Sequence, residues 1–202
     1  MKKRDLIILT VLIIGLIWGV SVDRQQKNIA DKLIRLHVVA NSDSDVDQRI
    51  KLSVRDAVLS ELAPALANVK TREQAETVLR GELDSITRAA DNELACLGSA
   101  DTAVVTLTDE AFPTRYYDTF TLPAGYYMSL RVTIGAGEGH NWWCVVFPPL
   151  CEDSAIEDAA QAVFSPDEVE FITEQDGGTV IKFKTLEIIA QIKEWFALRR
   201  EQ

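Results

Sequence analysis

The sequence predicts an α+β fold, one domain with a largely antiparallel sheet covered on one face by helices, behind an N-terminal signal or anchor helix. Three observations carry this. Residues 6–22 form an almost unbroken apolar run behind Lys2, Lys3 and Arg4. Helix-period and strand-period stretches follow in the order β, α, α, β, β, β, α, β, α, with helices bunched rather than alternating with strands. At 202 residues and 47% hydrophobic content the chain is long enough for one good core and gives no sign of a second.

The apolar run has the layout of a secretory signal or a signal anchor. As a helix it spans roughly 25 Å, just short of the usual hydrocarbon thickness. Gly19 and Ser21 offer a small-x-small pair for cleavage, but Trp18 and the neighbouring valines suit a peptidase poorly. Residues 1–22 are therefore a signal peptide or a signal anchor, with both readings open, and the basic cluster keeps the N-terminus in the cytosol. Residues 23–32 read as a polar stalk, and residues 33–202 as an exported domain.

Formal net charge is −10. Without residues 1–22, which hold Lys2, Lys3, Arg4 and Asp5, 18 basic residues face 30 acidic ones, or −12. That balance argues against nucleic acid and anionic lipid as partners.

Residues 33–40 alternate, with Ile34, Leu36, Val38 and Ala40 on one face and Arg35 and His37 on the other, as in a half-buried strand. Asn41 and the aspartates after it make the turn. Ser44 caps a helix and Asp47 sits at its third position, where a carboxylate suits the positive helix end. The stripe Ile50, Val54, Val58, Leu62 carries the helix to Pro64. Thr71 and Gln74 form a capping box for a second helix that stops at Gly98. Residues 103–107 are a second strand, 109–125 a long loop, and 126–134 a third strand with Met128, Leu130, Val132 and Ile134 facing in.

Gly135, Gly137 and Gly139 follow, then Trp142, Trp143 and the β-prone run 144–147, ended by Pro148 and Pro149. The expectation is two strands joined by a hairpin with a bulge. A phosphate loop would need a helix to open after the glycines, and here a strand with two indoles does. Residues 153–164 read as helix, Gly177 and Gly178 as a turn, 179–184 as a last strand and 186–198 as a closing helix.

The ligand-binding readings fare as follows. Asp43, Asp45 and Asp47 resemble the start of a calcium loop, but Gln48 stands where glycine is needed and Val54 where a bidentate glutamate is. Zinc finds no ligand spacing to suit it. Cys144 and Cys151 flank a turn-prone segment in an exported context and are expected to form a disulfide, which leaves Cys96 as a buried free thiol. A thiol hydrolase would need Cys144 free, with His140 or His37 as base. A wall-polysaccharide module would need Tyr126, Tyr127, Trp142 and Trp143 in a row. No metal, cofactor or catalytic set is expected.

Two strings are distinctive together: IRLHVVANSDSDVDQRIKLSVRDAVL at 34–59 and GAGEGHNWWCVVFPPLC at 135–151. With YYMSLRVTIG before the glycines and VIKFKTLEII near the end, the chain resembles the stage II sporulation protein R family. The resemblance implies a signalling protein rather than an enzyme. Such a protein is made in the forespore and exported into the space between the two surrounding membranes. There it activates a membrane-embedded aspartic protease of the mother cell, which matures the early mother-cell sigma factor. The family carries over no catalytic residues. Candidate partner contacts are Asn41, Asp43, Asp47 and Arg55 of the first string and Asn141, Trp142 and Trp143 of the second. Indoles and arginine are the commonest anchors of a protein interface, although tryptophans beside a buried strand also serve as core.

Overall fold

The computed structural model describes residues 3–117, 120–151, 163–173 and 177–200. The α+β class holds, and the chain divides into two compact units. One comprises residues 31–110 and 127–164, the other residues 1–30, 111–126 and 165–202.

The first unit is built on β1 (Ile34–Val39), α2 (Asp45–Leu66), α3 (Arg72–Cys96), β2 (Ala103–Phe112), β5 (Gly125–Ile134) and β6 (Asn141–Phe147). Its four-stranded sheet has the order β2-β5-β1-β6. The sheet is mixed, because β1 runs parallel to β5, with Leu36 opposite Leu130, and antiparallel to β6, with Leu36 opposite Cys144.

The even-numbered residues of β1 and β5 face the helices. Leu36, Val38, Leu130 and Val132 join Val54, Val58, Leu62, Leu79, Ile86 and Leu94 in one core, all at or near zero exposure. Each helix starts where its capping residue predicts. Ser44 Oγ accepts from Asp47 N at 3.1 Å, and Thr71 Oγ1 accepts from Gln74 N at 3.3 Å. Gln74 Oε1 reciprocates by accepting from Lys70 N at 3.0 Å. Helix α2 runs two residues past Pro64, whose nitrogen has no hydrogen to donate within the helix.

Three expectations for this unit need correction. Strands β5 and β6 do not form a hairpin, because β1 lies between them and the glycine segment crosses over the end of β1. Strand β2 extends to Phe112, into the stretch read as loop. Cys96 is exposed, not buried. It lies two residues past Leu94, about 200° further round the helix from the buried stripe.

In the second unit, α1 runs from Lys3 to Ala30 in one piece, so residues 23–30 are helix and not a free stalk. The segment has no glycine or proline to stop it, and Lys27 pairs with Asp23 at 3.2 Å one turn away. Val22, Gln26 and Ile29, at helical spacing, are buried, whereas Leu6, Ile7, Leu12 and Leu16 are exposed. Among the described residues α1 is the one helix long and apolar enough to cross a membrane.

A short hairpin of β3 (Arg115–Tyr116) and β4 (Thr121–Leu122) follows within the predicted loop. The unit is completed by α4 (Pro166–Thr173) and α5 (Gly177–Arg200). Phe171 of α4 meets Phe183 of α5 edge to face at 5.4 Å.

Helix α5 replaces both the turn at Gly177 and Gly178 and the strand at 179–184. The six-residue alternation there lies inside a 24-residue helix whose 3.6-residue period governs. The helix expected at 153–164 falls almost entirely outside the described residues.

Candidate partner-binding site

The crossover explains why the two distinctive strings meet. The glycine segment has to pass the end of β1, where residues 40–44 turn into α2. Gly139 N donates to Ala40 O at 2.9 Å and Glu138 N to Asn41 O at 3.1 Å. Gly135 and Gly137 take positive φ of 54° and 66°, backbone that residues with a Cβ rarely adopt. Gly139 is required for a different reason, since a Cβ there would run into the Ser42 carbonyl and lie 2.9 Å from Ala40 Cβ.

Side chains tie the junction further. Asn41 Oδ1 accepts from Ala136 N at 2.9 Å, and Asn41 Nδ2 donates to Asp47 at 3.2 Å. Ser42 Oγ donates to Asp47 at 2.5 Å. Hydrogen bonds from Ser42 first, and then Asn41, hold the Asp47 carboxyl below its usual range against a smaller opposing effect of burial. His140 N donates to Asp43 Oδ1 at 2.6 Å, and the His140 ring pairs with the same carboxylate. Buried Lys51 donates to His140 O at 3.0 Å and to Gln48 Oε1 at 2.6 Å; burial pushes its ammonium down, with Asp43 opposing.

The structure brings the candidate contacts to one junction but divides them by role and by face, with Arg55 and Trp142 on the helix side of β6 and Asn141 and Trp143 beside His37 on the other side. Asn41 and Asp47 are spent inside the turn. Asp43 is exposed and held by His140, and Asn141 is exposed at the start of β6. Arg55 lies 4.4 Å over the ring of Trp142, which remains 36% exposed. Elsewhere on α2 and β6 lies an apolar groove of about 380 Å³, lined by Leu59, Leu62 and Leu66 on one side and Val145 and Pro149 on the other.

Trp142 and Trp143 point to opposite faces of β6, as alternation requires, and neither is buried. Trp143 stacks on His37, its ring centroid 5.6 Å away. With Tyr127 only 1% exposed, the aromatic row of a polysaccharide platform does not form. Cys144 is joined to Cys151, with Cα atoms 5.4 Å apart, so it has no thiol with which to act as a nucleophile. Among the described residues no group of three or more His, Cys, Asp or Glu is placed to hold a metal ion.

One cluster escaped the sequence reading. On the sheet face away from α2 and α3, Glu110 accepts from Arg131 Nη1 at 2.8 Å and pairs with His37 Nδ1 at 3.1 Å. His37 Nε2 lies 2.8 Å from Asn141 Oδ1, so the cluster reaches the edge of the site. The signal was in the parity, because Arg35, His37, Ser129, Arg131 and Thr133 are the odd-numbered residues of two neighbouring strands.

Burial acts to raise the Glu110 pKa, but bonds from His37, Arg131 and Ser129 outweigh it and bring the value to about 2, against an ordinary 4.5. A carboxylate depressed in this way stabilises the fold fully above its unfolded value near pH 4.5, and the gain is lost as pH falls towards 2. Glu110→Gln is expected to unfold about 2–3 kcal/mol more easily than wild type at pH 7, after allowing for solvent at Arg131. Urea titrations should show that gap closing by pH 2, whereas a gap independent of pH would refute the assignment.

Fold and site together define a disulfide-bearing α+β domain behind an apolar N-terminal helix, with a polar, tryptophan-bearing surface where two remote segments join. The chain belongs to the Stage II sporulation protein R family, whose profile matches residues 30–157 and so takes in both strings. It is similar to Stage II sporulation protein R of Bacillus subtilis (strain 168), at 40% identity over 129 residues. That match covers 64% of this chain and 58% of the relative, less than two thirds of its length. No solved structure matches.

Proposed function

We propose that the protein is an exported sporulation signal, made in the forespore, that activates a membrane-embedded aspartic protease of the mother cell and so triggers maturation of the early mother-cell sigma factor. It acts as a ligand and not as an enzyme. The carrying observation is the pair of half-buried Arg55 and exposed Trp142 at the junction of the two strings, since an arginine stacked on an indole is the kind of anchor that dominates protein interfaces. The apolar α1 and the Cys144–Cys151 disulfide fit a place outside the cytoplasm, where disulfides persist.

The test is to express the chain together with the candidate protease and the sigma-factor precursor in a host that does not sporulate. Processing is expected only when the chain is present and exported. Processing of equal extent without it, or with a form lacking residues 1–22 and confined to the cytosol, would overturn the proposal.

A further inference from the structure

Helix α5 carries a second surface, outside the family match, that the proposed signalling role leaves unexplained. Its buried side is Phe183 and Leu186. On the opposite side Ile181, Ile188, Ile192 and Trp195 are all exposed, at 60%, 58%, 50% and 49%. At 3.6 residues per turn these four fall within an arc of about 60°, with Arg199 in the same arc. Arg199 lies 4.1 Å over the Trp195 ring. A continuous stripe of large apolar residues on one helix face is not what scattered surface residues look like.

Two further observations say what covers it. The first is position. Leu186, Ile189 and Ala190 line a small crevice with Asp23, Gln26 and Lys27, so the middle of α5 sits beside the turns of α1 that directly follow its apolar run. If α1 crosses a bilayer, the middle of α5 lies at the bilayer surface. The second is charge. Helix α5 contains Lys182, Lys184, Lys193, Arg199 and Arg200 against Glu187 and Glu194, a net +3 in a chain of −10. Lys184 is tied to Glu187 at 2.7 Å, which leaves the excess with the other cations. The acidity of the whole chain argues against anionic lipid, and α5 is the local exception.

We propose that α5 is a membrane-surface helix whose stripe Ile181, Ile188, Ile192 and Trp195 lies in the headgroup region of an anionic phospholipid bilayer, next to the point where α1 leaves it. An apolar face with basic residues and a tryptophan at one end is the composition of helices that lie in that interface.

The test places a nitroxide at Ile188→Cys or Ile192→Cys, one at a time, in a full-length Cys96→Ser chain reconstituted into phosphatidylglycerol/phosphatidylethanolamine vesicles. Collision with oxygen is compared with collision with a water-soluble nickel complex, and Leu12→Cys serves as the reference for α1. Both α5 labels are expected to favour oxygen, and the preference is expected to fall at least about threefold in phosphatidylcholine or on Arg199→Glu. Labels at Ile188 and Ile192 that both face water in the anionic vesicles overturn the proposal, whatever the Leu12 label reports. So does spin–spin broadening between chains that disappears on dilution with unlabelled protein, which would make the stripe a contact between two copies. Retained sigma-factor processing alongside either result would leave the signalling role intact while α5 loses its membrane assignment.

Discussion

Trp142→Ala combined with Arg55→Glu is expected to cut sigma-factor processing by at least ~30-fold while the domain stays folded. Truncating a central aromatic anchor of an interface costs about 2 kcal/mol or more, and reversing the charge stacked on it adds repulsion to the loss. Neither side chain supports the core. Trp142 is exposed on an edge strand, and Arg55 is half-buried, pairing with Asp56 at 2.7 Å on the helix surface. Thermal unfolding should therefore change little, within the range usual for surface positions. A folded double variant that processes the precursor at the wild-type rate would move recognition elsewhere on the domain. One that unfolds early would show the pair to be structural.

Gly139→Val is expected to remove both stability and signalling. The new side chain would meet the Ser42 carbonyl, which is backbone and cannot swing aside as a flexible side chain would. Overpacking of this kind costs roughly 1–3 kcal/mol, and here it also threatens the bonds from Gly139 N to Ala40 O and from Glu138 N to Asn41 O. Asp43 and Asn141 then lose their common frame. Gly98→Ala provides the contrast, because Gly98 has positive φ but open space around it; it should lose stability by backbone strain alone and keep signalling in proportion to folded protein. If Gly139→Val unfolds and signals like wild type, the crossing segment has room that the packing denies.

Much of this was legible in the residues. The strand at 33–40, the caps at Ser44 and Thr71, and the inward set of β5 follow from local chemistry and period, and the structure keeps them, except that β1 is not half-buried: as a central strand it is buried on both faces, with Arg35 at 0% and Val39 at 2% exposure. What local pattern does not carry is who pairs with whom. Placing β1 between β5 and β6 is a choice among sheet orders that every strand pattern here allows, and it turned the expected hairpin into a crossover. The same limit divided the candidate contacts. Seven residues were named for their type, and the structure puts Asn41 and Asp47 to work inside the turn while leaving Arg55 and Trp142 outside. Helix α5 was misread at its start because six residues of alternation were weighed without the sixteen that follow.

The crossover also makes the Arg55 and Trp142 surface a product of the whole domain. Asp43 and His140 are 97 residues apart in sequence, Asn41 and Ala136 are 95, and His37 and Asn141 are 104. Neither string presents the surface alone, since the first lacks Trp142 and the second lacks Arg55 and the turn that seats it. A chain clipped or stalled before β6 cannot assemble this surface, which is complete only once the chain has emerged through Phe147.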